Sequence, residues 1–205
     1  MYLFLVVAFL AFVFPFFLMV VNSFKTNGEI LKSPFSLPTQ LSFDQFAQVI
    51  TKMNFLVSFT NSLLITTLST ALILGASAMT AYYLVRNDNW FSRIFFSILV
   101  ASMIIPFQSI MIPLMNIYGA RLNLIDRFPV PLLIVLYGGF GSALTVFFYH
   151  GFIKAIPLEL EEAARIDGCT RKMIFFRIVF PMLGPTSMTV AILNVMWIWN
   201  DYLLP

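Results

Sequence analysis

The stretch ELEEAARIDGCTRKMIFFRIVFP, residues 159–181, carries Glu159, Glu161, Glu162 and Asp167 beside Arg165, Arg171, Lys172 and Arg177. These are four of the chain's nine acidic and four of its twelve basic residues, in a sequence that is 60% apolar and only 10% charged. Soluble domains carry roughly 25% charged residues. The stretch is therefore a polar interruption between apolar runs, and those runs set the fold. About 20 uncharged residues at 1.5 Å rise cross a hydrocarbon core. Five such runs occur, at about 2–21, 61–85, 94–118, 129–149 and 183–204. The expectation is an all-α, polytopic membrane protein. The short alternating segments of an outer-membrane barrel are absent from the sequence.

The first run has no basic lead and no small-x-small site after it, so it reads as an uncleaved span rather than a signal peptide. Pro15 is a candidate kink. The second contains Ala71 and Gly75, a small-xxx-small pair suited to close helix approach. Pro106 and Pro113 interrupt the third, and GGFGS (138–142) sits inside the fourth, where close packing is the expected use. Residues 22–59 read as an extramembrane loop with a short helix near 42–51, capped by Ser42 or Asp44. Alternation puts 86–93 and 150–181 on one side, with Arg86, Arg93, Lys154, Arg165, Arg171, Lys172 and Arg177. The other side holds Lys25, Lys32, Lys52, Arg121 and Arg127 over a greater length. The positive-inside rule then makes 150–181 cytoplasmic and 22–59 extracytoplasmic.

The composition excludes several kinds of function. No ionisable group lies in the spans before Asp201, which argues against an ion-driven carrier. There is no Gly-x-x-x-x-Gly-Lys-Ser/Thr phosphate loop. A single histidine, His150, argues against a metal site, and nothing near the single Cys169 forms a nucleophile–base set. No catalytic residue and no cofactor are expected. Basic residues are explained by membrane topology, so nucleic acid is not an expected partner. Neutral polar residues remain in or beside the spans. Asn61, Gln108 and Asn194 are candidates for a path taken by an uncharged, hydroxyl-rich solute, with helix-to-helix hydrogen bonding as the competing use.

Within 150–181 the helix signals are specific. Pro157 suits a first helical position, and Glu159, Glu161 and Glu162 suit the positive end of the helix dipole. Gly168 suits a left-handed stop, and Thr170 can cap a second helix toward Arg177. Arg171 and Lys172 oppose that helix's dipole, so lipid phosphate or an acidic partner is expected to favour them. A charged hairpin of this kind either lies on the membrane surface or docks a partner.

The same residues resemble the EAA motif of bacterial ABC-importer permeases: Glu162-Ala163-Ala164, then Gly168, then Ile178 and Pro181, with Phe180 where leucine is usual. The form EAARIDG is that of carbohydrate-importer permeases. NSFKTNGEI (22–30), NSLLIT (61–66), AYYLVR (81–86), MIIPFQSIMIPL (103–114), FIKAIPLELEEAARIDG (152–168) and WNDYLLP (199–205) also resemble the family that includes the smaller maltose-transporter permease. The resemblance implies a type I importer fold, in the bacterial cytoplasmic membrane. It implies a second permease subunit, a cytoplasmic ABC ATPase dimer, an extracytoplasmic solute-binding protein, and a sugar or oligosaccharide as cargo. ATP hydrolysis is expected in the partner, not in this chain. Glu162, Ala163, Ala164, Asp167 and Gly168 are the implied ATPase-coupling residues, and Pro181 marks the return into the membrane. The family carries a sixth span that the five read here lack, so a C-terminally truncated chain is expected. The alternatives are an ATP-independent carrier or channel, or an inactive permease fragment.

Overall fold

The computed structural model describes residues 1–39 and 41–204. Pro205, which ends the WNDYLLP match, and Gln40 of the polar loop lie outside the described residues. The described residues form helices and turns, with no strand among them. The chain divides into two compact units, 1–60 and 61–205.

The first unit opens with α1 (Tyr2–Ser23), an uncharged helix with Pro15 inside it, no buried residue, and most of its large apolar side chains exposed. In water such a surface would be untenable; against lipid it is the expected one. The polar loop that follows is structured. Thr26 caps α2 (Asn27–Lys32) by accepting from the Glu29 N–H. The Glu29 carboxylate accepts from both the backbone N–H and the hydroxyl of Thr39, at 2.8 Å each. These donors, the backbone one foremost, hold Glu29 below the usual glutamate range. Lys25 is fully buried, and its ammonium donates to the carbonyls of Ser33 (3.0 Å) and Pro34 (3.3 Å). The short helix expected near 42–51 is α3 (Asp44–Lys52). Phe43, not Ser42 or Asp44, occupies its cap position and makes no side-chain cap bond. Phe43 instead packs with Phe24 and Phe46, and the Ser42 hydroxyl, one residue before the cap, accepts from the Asp44 N–H at 3.4 Å.

The second unit is built around α4 (Phe55–Arg86) from Asn61 onward, α8 (Pro129–Ala155) and α12 (Gly184–Asn200). α4 has 32 residues and α8 has 27. At 1.5 Å per residue these are about 48 and 40 Å long, against a hydrocarbon core of about 30 Å. Both therefore outrun the apolar boundaries 61–85 and 129–149. Hydropathy marks where lipid begins; the backbone ladder continues past it.

The third expected span is two helices. α5 (Trp90–Ser102) and the segment 107–121, comprising α6 (Phe107–Leu114) and a π-helical turn (Met115–Arg121), meet at 95°. The break falls before Pro106, which cannot donate to the preceding turn. Pro113 is accommodated inside α6, and the π-helical turn begins two residues after it. α7 (Leu124–Arg127) then leads into α8. The charged stretch forms α9 (Leu158–Ile166), α10 (Arg171–Ile174), a π-helical turn (Phe175–Val179) and α11 (Phe180–Met182). The helical run 171–182 meets α12 at 70°. Three helices are long and apolar enough to cross a membrane, or five spans if each bent pair counts as one.

GGFGS does pack closely. A Cβ on Gly138 would lie 2.8 Å from Leu72 Cδ2, and one on Gly141 would lie 2.5 Å from Ile73 Cδ1 and 2.7 Å from Asn194 Oδ1. The expected Ala71/Gly75 contact is not where helices meet: Ala71 is exposed, and a Cβ on Gly75 would touch nothing. The main apolar cluster gathers Ala78, Ala81, Tyr82 and Leu84 of α4, Val146, Tyr149 and Ile153 of α8, Ala164 of α9, and Ile174, Phe175, Val179, Leu183 and Val190 beyond. It packs the charged hairpin onto the ends of α4 and α8.

Candidate functional site

The hairpin begins where α8 ends. Pro157, expected as the first helical residue, sits one position earlier, as the extended cap before Leu158. Its missing N–H is unneeded there as well. Glu159 and Glu161 lie in the first turn, the electropositive end of α9. The helix stops as the glycine predicts. Gly168 has φ +83°, its N–H donates to the Arg165 carbonyl (3.0 Å), and the Cys169 N–H donates to the Ala164 carbonyl (2.9 Å). That pair of bonds is a Schellman motif, and Cys169 and Ala164 join the same apolar cluster, as the motif favours. Thr170 then caps α10 by accepting from the Met173 N–H at 3.4 Å.

Burial divides α9 into two faces. Glu161 and Ala164 point inward, while Glu162, Ala163, Arg165 and Ile166 are exposed. Ile166 is 87% exposed, an uncommon setting for isoleucine in a packed hairpin. Of the residues singled out by the motif, Glu162, Ala163, Asp167 and Gly168 are each exposed. Ala164 is packed beneath it. Pro181 is exposed, in α11, two residues before the bend at Leu183.

The inward face holds residues that the motif reading missed. Glu161 is fully buried. One carboxylate oxygen accepts from the Arg86 Nε at 2.7 Å, the other from the Tyr82 hydroxyl at 2.8 Å. Arg86 also donates from Nη2 to the Ile156 carbonyl at 3.2 Å. The Arg171 guanidinium lies 5.9 Å above the Tyr82 ring. This π-face is one attraction that offsets the unfavourable place of Arg171 at its helix start. A sequence signal existed: Tyr82 and Arg86 are four apart at the end of α4, hence on one face, and Glu161 and Ala164 are three apart on α9. Without a tertiary contact the two faces could not be matched.

Beside the hairpin, the 86–93 turn forms its own pair. Arg93 donates twice to Asp88, at 2.8 and 2.9 Å, and this hydrogen bonding lowers the Asp88 carboxyl below its usual range. His150 stacks on Phe96 with ring centroids 4.0 Å apart.

The solute-path candidates fare differently. Asn61 and Gln108 are exposed. Asn194 is buried, and its amide donates to Thr145 Oγ1 (3.1 Å) and the Val190 carbonyl (2.8 Å), tying α12 to α8. On α4, the hydroxyls of Thr66, Ser69 and Thr70 are buried with no partner among the described residues.

Apolar spans with a capped, charged hairpin packed on their ends make this a polytopic helical membrane protein. Residues 71–205 match the model of the binding-protein-dependent transport system inner membrane component family, and the chain belongs to that family. It is similar to the probable starch degradation products transport system permease protein AmyC of Thermoanaerobacterium thermosulfurigenes. That likeness is 45% identity over 191 residues, covering 93% of this chain and 68% of the relative. The multiple sugar-binding transport system permease protein MsmG of Streptococcus mutans is 33% identical over 207 residues, covering 100% of this chain and 73% of that protein. The fold is that of a bacterial ABC transporter involved in import of the acidic polysaccharide alginate. The TM-score is 0.80 at 22% identity, over 98% of this chain and 69% of the other.

Proposed function

We propose that this chain is a pathway-forming permease that carries a sugar or oligosaccharide inward across the cytoplasmic membrane. A partner ATPase would dock on the α9–Gly168–α10 hairpin and supply the energy. The observation that carries the proposal is the division of α9: its inner face is cemented to the spans, while Glu162, Ala163 and Ile166 are left outward on a rigid, capped helix. The names of the relatives support a carbohydrate cargo, since they describe permeases for starch degradation products and for melibiose, raffinose and stachyose. In this reading the hairpin faces the cytoplasm and the 22–59 loop faces outward, where a solute-binding protein would deliver. A second permease subunit would complete the pathway, with Asn61 and Gln108 as candidate contacts for passing solute.

Two measurements test it. The chain, purified with its ATPase, should retain that subunit on a pull-down, and Gly168→Asp should lose it. Vesicles carrying the assembled importer should take up labelled maltotriose or raffinose only with ATP. Uptake that follows an ion gradient without ATP would instead establish a carrier, and retention of the ATPase by Gly168→Asp would overturn the docking assignment.

A further inference from the structure

Three attachments join the hairpin to the spans, and one of them is not covalent. Ile156 and Pro157 link α9 to α8, and the run 171–182 links α10 to α12. The link to α4 crosses 75 to 79 residues of sequence and consists of Tyr82, Arg86 and Glu161. Both carboxylate oxygens of Glu161 are used, the carboxylate has no exposed surface, and Arg86 reaches on to the Ile156 carbonyl. Arg171 and Phe175, from the second arm of the hairpin, close over the Tyr82 ring. Both arms therefore bear on the last turn of α4. A buried, satisfied charge pair of this kind is directional: apolar packing can slide, whereas two short charge-assisted bonds to one carboxylate fix distance and rotation together. Successive helical residues turn by about 100°, so Ala163 and Ile166 lie on nearly the opposite face of α9 from Glu161. The helix is clamped on one side and offered on the other.

We infer that Glu161, with Arg86 and Tyr82, is a positioning group that makes α9 and α4 one rigid piece, so that α4 is the span through which displacement of the hairpin reaches the solute path. This rests on the docking reading above and adds the route. The motif's own glutamate, Glu162, is exposed and takes no part in the clamp. α4 also carries the hydroxyls of Thr66, Ser69 and Thr70, buried without a partner among the described residues, so the helix moved by the clamp is one with polar groups to expose.

The test uses the assembled importer in lipid nanodiscs, spin-labelled at Tyr83→Cys and Leu158→Cys, both exposed and neither on the face offered for docking, with Cys169→Ser. The label-to-label distance is read without nucleotide and after trapping with ATP and vanadate. With the pair intact, the distance should be the same in both states. Glu161→Met with Arg86→Met removes both charges and leaves neither unpaired, the kind of exchange that buried pairs tolerate. In that variant the distance should shift or broaden on trapping, and solute moved per ATP should fall about 2- to 30-fold. A distance that changes with the pair intact overturns the inference. So does a double variant that captures the ATPase yet moves solute per ATP as the parent does. Should the double variant fail to assemble, the intact-pair distances and the milder Glu161→Gln variant decide by the same criteria. Failure of the parent chain to capture the ATPase is read separately, on the pull-down, and removes the docking premise itself.

Discussion

Gly168 shows how one backbone angle shapes the site. At φ +83° any L-residue is strained, yet a Cβ there would meet nothing within 4 Å. The cost of substitution is therefore conformational rather than steric. Gly168→Ala should lower stability by about 1–2 kcal/mol, and Gly168→Asn by less, because asparagine tolerates the left-handed region. Thermal unfolding in detergent checks the order. Glu161→Ala is a different case, since it leaves the Arg86 guanidinium buried without its partner. A loss of about 3–5 kcal/mol is expected, well above that of the paired exchange to methionine. Glu29 gives a pH prediction. Its carboxylate is depressed by Thr39, so the contribution to stability is present above the ordinary glutamate value and is lost as pH falls through the lower folded one. Thr39→Ala removes only the hydroxyl donor, the lesser of the two Thr39 bonds. It should move the Glu29 titration part of the way back, as carboxyl NMR shifts would report.

At the level of elements, α4, α8 and α12 meet through small residues and one buried amide. Gly141→Ala would put a methyl 2.5 Å from Ile73 Cδ1 and 2.7 Å from Asn194 Oδ1. Overpacking of this kind costs about 1–3 kcal/mol. Ile73→Val deletes the nearer of the two atoms, so the pair should be less destabilised than the sum of the single changes. A double-mutant cycle on unfolding midpoints measures that coupling. Helix ends and breaks were legible where backbone chemistry is local: Gly168, Thr170 and Pro106 act as their side chains dictate. Other local signs misled. Phe43, packed in an aromatic trio, takes the cap position, while Ser42 serves the Asp44 N–H from one residue earlier. Ala71 and Gly75 carried the small-residue pattern, but Gly138 and Gly141 make the approach, since which stripe meets a neighbour depends on how the helix is rotated in the bundle. The same limit hid Glu161, whose role depends on Tyr82 and Arg86 far away in sequence.

Across the molecule, apolar length and charge placement carried the architecture. Five apolar runs appear as three long helices and two bent pairs, and the bends fall at prolines or beside them. What composition could not convey is how far a helix continues past its apolar run: α4 begins six residues ahead of its run, at Phe55, and α8 continues six residues past its own, to Ala155. Sidedness follows as a prediction. In a Cys169→Ser background, Ile166→Cys should react with a membrane-impermeant maleimide from the cytoplasmic face only, and Leu37→Cys from the opposite face only. Labelling of both from one side would reverse or refute the proposed arrangement.

The chain's single cysteine sits one residue past the glycine turn, half-buried, with its N–H closing the Schellman motif. Its reactivity is thereby tied to the integrity of that turn. A thiol reagent should find it slowly while the hairpin is closed, faster when the turn opens, and slowest beneath a docked partner. The hairpin thus has a chemical clock at its glycine turn, readable by alkylation rate without altering the sequence.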